Sequence, residues 1–228
     1  MIQFESVTKK YPLGHLALED ISLKIESDEF VFIVGPSGAG KSTLLKLVTR
    51  ETTPTSGKIF FNSEDILKIP KNKIPLLRRR IGTVFQDFKL LLTCTVFENV
   101  AVPLEVSSRR SAEIEKAVSE TLEKVGMLDK ADNFPLQLAG GEVQRTAIAR
   151  AIISKPEVLL ADEPTGDLDP KNALAVAELL EKINKEDKTT VIMATHNAQI
   201  VNHFKKRVVT LDAGKIVRDQ KEGKYETS

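Results

Sequence analysis

Residues Gly35 to Thr43 read G-P-S-G-A-G-K-S-T, a glycine-punctuated run that ends in a lysine and two hydroxyls. This spacing is that of a phosphate-binding loop when a buried strand precedes it and a helix follows. Gly35, Gly38 and Gly40 permit backbone angles that turn successive N–H groups toward one concavity, and a helix N-terminus adds positive potential. Pro36, Ser37, Ala39 and Thr43 complete the same cradle. Lys41 supplies a mobile cation for the outer phosphates of a nucleotide, and the Ser42 hydroxyl can ligate a Mg2+ that bridges them.

A second chemical group is the pair Asp162 and Glu163, which follows the apolar run V-L-L-A. That places two acids at the carboxyl end of a buried strand, where ligands of open α/β sheets collect. Neighbouring strand residues point to opposite faces, so the two should do different work. Asp162 suits the hydration shell of Mg2+, and Glu163 suits polarisation of the water that attacks the γ-phosphorus. Taken alone, the pair reads equally as solvated acids at a strand end. His196 closes another apolar run, where an imidazole can contact the γ-phosphate or the attacking water, although a lone histidine is more often structural. Gln86, in T-V-F-Q-D-F, could offer its amide oxygen to the metal.

Three apolar runs without alternation, Phe30 to Val34, Val158 to Ala161 and Thr189 to Ala194, read as strands buried on both faces. Helix-like patterns lie between them, which argues for parallel strands joined by crossover helices. Ile21, Leu23 and Ile25 alternate with polar residues, as in an antiparallel strand with one wet face. Ile114, Ala117, Val118, Thr121, Leu122 and Val125 repeat at helical spacing behind Ser111, an expected N-cap. The run R-V-V-T-L-D-A-G-K-I-V suggests a hairpin about Asp212, Ala213 and Gly214, and the polar stretch after Asp219 is expected to fray.

With 33 Lys and Arg against 32 Asp and Glu the chain carries a net +1, which argues against bulk nucleic-acid or polybasic membrane binding. A single cysteine, Cys94, excludes an intrachain disulfide framework and a Cys-rich metal site. No apolar run reaches the roughly 18 residues of a membrane span, and M-I-Q-F-E-S-V-T-K-K lacks a signal-peptide layout, so a cytoplasmic protein is expected.

The run L-A-G-G-E-V-Q-R, Leu138 to Arg145, then gives the motifs a common meaning. It is similar to the signature sequence of ABC transporter nucleotide-binding domains, and the resemblance covers essentially the whole chain. In family order come an adenine-stacking aromatic (Tyr11), the phosphate loop, the Q-loop glutamine (Gln86), the signature, the acidic strand (Val158 to Glu163), the D-loop (Gly166 to Asp169) and the switch histidine (His196). The resemblance implies an α/β fold: a P-loop NTPase parallel-sheet core with an antiparallel β subdomain and a helical insertion. Core and β subdomain would span 1–86 and 146–219, the helical subdomain 87–145, and a polar tail 220–228. It also implies ATP hydrolysis with Glu163, His196 and Gln86 as catalytic groups, and Mg2+ held by Ser42, Gln86 and Asp162.

Two copies would face head to tail, Ala139, Gly140 and Gly141 of one covering the γ-phosphate held by the other. A membrane subunit would hold the pair at the cytoplasmic face of the membrane. Its short cytoplasmic helix would dock near the apolar segment Phe88 to Val102, on exposed members of Leu90 to Leu92. The phrases F-Q-D-F-K-L-L and V-L-L-A-D-E-P-T-G-D-L-D are most similar to the cell-division branch of the family, while the lipoprotein-release and macrolide-export branches share much of them. Sequences of the cell-division branch carry serine where this chain has Ala139. The loss of that hydroxyl predicts slow turnover with ATP binding and dimerisation kept, or at the limit a nucleotide-gated binding module; a substitution without consequence is the plainer alternative.

Overall fold

The computed structural model describes residues 1–107 and 110–225. The chain opens with β1 (Ile2–Lys10), β2 (Leu16–Ile25) and β3 (Phe30–Val34), then α1 (Lys41–Val48), β4 (Ser56–Phe61) and β5 (Glu64–Asp65). Helix α2 (Ile74–Arg79) and β6 (Ile81–Val84) precede three helices, α3 (Val96–Glu105), α4 (Ser111–Lys124) and α5 (Gly140–Ile152). The remainder alternates: β7 (Val158–Asp162), α6 (Pro170–Asp187), β8 (Thr190–Thr195), α7 (Ala198–Phe204), β9 (Arg207–Asp212) and β10 (Lys215–Gln220).

The strands form two sheets. One is antiparallel, in the order β2-β1-β4-β5, and takes up the alternating Ile21, Leu23 and Ile25. The other has the order β10-β9-β3-β8-β7-β6, parallel except for the β9–β10 hairpin. All five residues of β3 and all six of β8 are buried, because the central strands are covered on both faces. Alternate residues feed different cores. Phe30, Phe32 and Val34 join Leu159, Met193 and residues of α3 to α6, while Val31 and Ile33 join Leu160, Ile192, α1 and the antiparallel sheet.

The helical segment holds α3, α4 and the start of α5. Thr95 and Glu98 close a capping box at α3, the Glu98 N–H donating to Thr95 Oγ1 (3.2 Å) and the Thr95 N–H to Glu98 Oε2 (2.7 Å). Ser111 is the first helical residue of α4, not its cap; Arg110 holds the cap position without a side-chain bond. Helix α5 runs unbroken through Arg145, so the expected boundary there falls inside an element that packs against α3, α4 and β6.

The expected fraying after Asp219 is not what the described residues show. Strand β10 continues to Gln220, the Gly223 N–H donates to the Lys206 carbonyl at 3.1 Å, and Asn202 brackets the Tyr225 backbone with bonds of 2.8 and 3.0 Å. Tyr225 is buried, since its ring adds enough apolar surface to anchor an otherwise polar segment. Residues 226–228 of the expected tail lie outside the described residues.

Candidate active site

Strand β3 delivers the chain to the loop Gly35 to Gly40, and α1 begins at Lys41. Gly40 has φ +104°, and a Cβ there would lie 2.5 Å from the Ala17 carbonyl oxygen, so conformation and space both require glycine. The Lys41 side chain is buried. Its ammonium donates to the Gly35 and Pro36 carbonyls at 2.8 and 3.1 Å and stands 3.4 Å from Glu163 Oε1.

The Ser42 hydroxyl donates to Asp162 Oδ1 at 3.0 Å. Burial pushes the Asp162 carboxyl above the usual range; the Ser42 bond opposes this and the neighbouring Glu163 charge adds to it. Hydroxyl and carboxylate form an all-oxygen pair suited to a hard cation such as Mg2+. Among the described residues no group of three or more His, Cys, Asp or Glu could cage a metal, so a cation here would draw other ligands from an amide oxygen such as that of Gln86, from phosphate and from water.

Glu163 departs from the geometry expected of it. Strand β7 ends at Asp162, and Glu163 is turned into the left-handed region (φ +47°), its N–H bonded to the Ala194 carbonyl at 2.9 Å. A turn, not strand alternation, therefore separates the two acids. The swing brings Glu163 Oε2 to 3.0 Å from His196 Nδ1 and 3.3 Å from the His196 N–H. With the proton on Nδ1, the imidazole donates to Glu163 and keeps Nε2 as an acceptor.

Ser37, Gly38, Lys41, Ser42, Gln86, Glu163 and His196 share one cleft of about 700 Å3. Tyr11 stands outside its lining, with its hydroxyl 3.5 Å from Thr43 Oγ1 and its ring stacked on His15. His15 lines the cleft in its place. Thr210, Val217 and Tyr225 also line it and were not singled out from sequence; only Tyr225, a lone aromatic in a polar stretch, carried a signal. Burial and the Glu163 charge push the Tyr225 phenol above its ordinary range.

The signature residues lie elsewhere. Ala139 is the exposed N-cap of α5, and Gly140 and Gly141 begin the helix; none of them lines the cleft. The Ala139 N–H donates to Glu142 Oε2 at 2.9 Å. The D-loop ends in Asp169, which caps α6 through the Lys171 and Asn172 amides at 3.0 and 3.1 Å.

A second cleft, of about 590 Å3, opens beside the Q-loop and is lined by Arg78, Arg79, Phe85, Lys89, Val106 and Arg150, among others. Leu90 to Leu92 do not line it. Leu91 and Leu92 are exposed, while Val96 and Val100 pack in the core. The buried Asn99 amide ties their loop down with bonds to the Leu91 N–H and to the Leu91, Cys94 and Thr95 carbonyls. Any partner seated in this cleft would therefore meet a basic rim and not that leucine run.

Comparison with known proteins places the chain in a family. The ABC transporter family matches residues 18–166. The chain is 52% identical over 225 residues to the cell division ATP-binding protein FtsE of Bacillus subtilis, covering 99% of this chain and 98% of that one. It is 47% identical to FtsE of Escherichia coli K12 over 94% of this chain and 96% of that one. The dimeric structure of a bacterial ABC transporter cassette superposes with a TM-score of 0.89 at 37% identity, covering 99% of this chain and 100% of the other. A dimeric ATP-binding cassette in a post-hydrolysis state with ADP and Pi also gives a TM-score of 0.89, at 35% identity and the same coverage. The chain belongs to the ABC transporter family, as one of its ATP-hydrolysing nucleotide-binding domains.

Proposed function

We propose that this chain is the ATPase subunit of a cell-division complex of the FtsE–FtsX kind. It works as a pair of copies at the cytoplasmic face of the plasma membrane, beneath an integral subunit resembling FtsX. The near full-length likeness to relatives named FtsE carries this reading. Among the described residues no helix is long and apolar enough to cross a membrane, which agrees with attachment through a partner. The basic second cleft beside Gln86 is the seat assigned to that partner's cytoplasmic segment.

The phosphate-loop amides and Lys41 bind the β- and γ-phosphates, and Tyr11 with His15 borders the adenine. Ser42, Asp162 and Gln86 would hold Mg2+, which would supply positive charge against the phosphates. Glu163 accepts the proton of the attacking water as the water oxygen bonds to the γ-phosphorus. The bond from that phosphorus to the bridging oxygen breaks, leaving ADP and phosphate. His196, bonded to Glu163 Oε2, orients the carboxylate. At the start of α5 Ala139 and Gly140 are exposed, Gly141 is buried behind them, and none of the three lines the chain's own cleft, so this helix start serves the γ-phosphate of a second copy.

The test pairs ATP turnover with co-purification. An FtsX-type membrane protein should be retained by the wild-type chain, and ATP should drive dimerisation of Glu163→Gln. Selective retention of a lipoprotein-release or macrolide-export membrane subunit would move the chain to the exporter reading, which the 37% identity to a transporter cassette keeps second.

A further inference from the structure

Gln86 lines the nucleotide cleft, and Phe85 and Lys89, on either side of it in sequence, line the other. The backbone between them is strained. Phe88 and Lys89 are consecutive non-glycine residues in the left-handed region, at φ +55° and +48°. Such a pair persists only where its surroundings over-determine it.

One side chain supplies that constraint. Arg150, in the last turn of α5, donates from Nη1 to the Lys89 carbonyl and from Nη2 to the Phe88 carbonyl, both at 2.6 Å. Arg80 and Arg207 are matched by carboxylates, Glu157 for the first and Glu29 with Asp219 for the second. Arg150 has no carboxylate partner among the described residues; its part-buried charge rests on two main-chain oxygens of the strained turn. Desolvation accordingly pushes the guanidinium below the usual arginine range. A planar fork bonding two successive carbonyls fixes their direction in a way that a single point charge does not. Lys89 closes the turn from the other side, its ammonium 4.2 Å from the Phe85 ring centroid.

We propose that Arg150 is a positioning residue for ATP hydrolysis: its fork on the Phe88 and Lys89 carbonyls sets where the Gln86 amide stands in the nucleotide cleft. The same helix begins at Gly140, so displacement of the Q-loop turn reaches the signature end of α5 through one side chain. Arg150 touches neither nucleotide nor water; it acts through Gln86, and the inference rests on the role given to Gln86 above.

The experiment uses the full chain with Arg150→Lys, Arg150→Gln, Gln86→Ala, and both Arg150 changes in the Gln86→Ala background. ATP turnover, affinity for a fluorescent ATP analogue and melting temperature are measured for each. Arg150→Gln should lower kcat about 10- to 100-fold, as misplacement of a positioned group does, with nucleotide affinity moved less than about 3-fold. Arg150→Lys, able to reach one carbonyl, should keep more of the turnover. In the Gln86→Ala background neither Arg150 change should slow turnover further. Losses that multiply with Gln86→Ala, unchanged kcat in Arg150→Gln, or a joint fall of turnover, affinity and melting temperature in both Arg150 variants would each overturn the proposal. Should Arg150→Gln not fold, Arg150→Lys in the two backgrounds decides by the same criteria. Wild-type turnover in Gln86→Ala would instead remove the role assigned to Gln86.

Discussion

Helix α1 follows directly on Gly40 and helix α5 begins at Gly140, and both present first-turn amides, yet their surroundings differ. At α1 a Cβ on Gly40 would meet the Ala17 carbonyl at 2.5 Å and the Leu18 side chain at 2.7 Å; the lysine that follows is buried, and Glu163 stands against it. At α5 a Cβ on Gly140 would meet only Leu168 Cδ2, at 3.4 Å, and Ala139 beside it is exposed. One helix start is finished by the chain's own backbone. The other is open at Ala139 and Gly140 and closed at Gly141 by Asn172, without Glu163 beside it, which is how one site shared between two copies should look from a single chain.

The largest test of this contrast removes the proposed base from the finished end. Glu163→Gln should lower turnover by about 10²- to 10⁴-fold while ATP binding survives, read by phosphate release and nucleotide fluorescence. Turnover within a few-fold of wild type would mean that proton transfer is handled elsewhere and that the finished end is not the catalytic one.

The two glycines then separate the ends directly. Gly40→Ala carries a left-handed penalty of about 1–3 kcal/mol besides its clash, so melting temperature and ATP affinity should fall together in the isolated chain. Gly140→Ala should leave the single copy as stable as wild type or better by up to about 1 kcal/mol, because alanine favours helix over glycine. Its loss should appear only in ATP-driven dimerisation, followed by light scattering. Equal effects of the two substitutions on nucleotide binding by the single copy would erase the distinction.

Legibility in the sequence divided along the same line. The phosphate loop and the buried strands could be read because glycine spacing and apolar runs are local signals. The placement of Glu163 could not. Strand alternation would send Asp162 and Glu163 to opposite faces, and the left-handed turn that aims Glu163 at His196 depends on the Ala194 carbonyl of a neighbouring strand. Tyr225 was hidden for a related reason: its anchor, Asn202, and the cleft it lines are brought to it only by tertiary packing. The leucines after the Q-loop were legible only in part: Leu91 and Leu92 are exposed as expected, but apolarity alone does not say that they stand beside the second cleft and not in it.

The smallest expected effect lies at the open end and distinguishes two things a serine could do there. Ala139 holds the N-cap position of α5 with extended angles (φ −70°, ψ 155°) and no side-chain bond. A hydroxyl in that place can accept from a first-turn amide and stabilise the helix by about 1 kcal/mol. The same hydroxyl keeps its proton free to donate to a γ-phosphate held by a second copy, an interaction of about 1.5–3 kcal/mol. Capping acts in one copy and phosphate donation acts only between two. Ala139→Ser should therefore raise the melting temperature of the single copy slightly, and raise turnover and ATP-driven dimerisation by at most about 100-fold. A higher melting temperature with turnover and dimerisation unmoved would assign position 139 to helix capping alone, leaving the glycine amides as the whole of the open end's contribution.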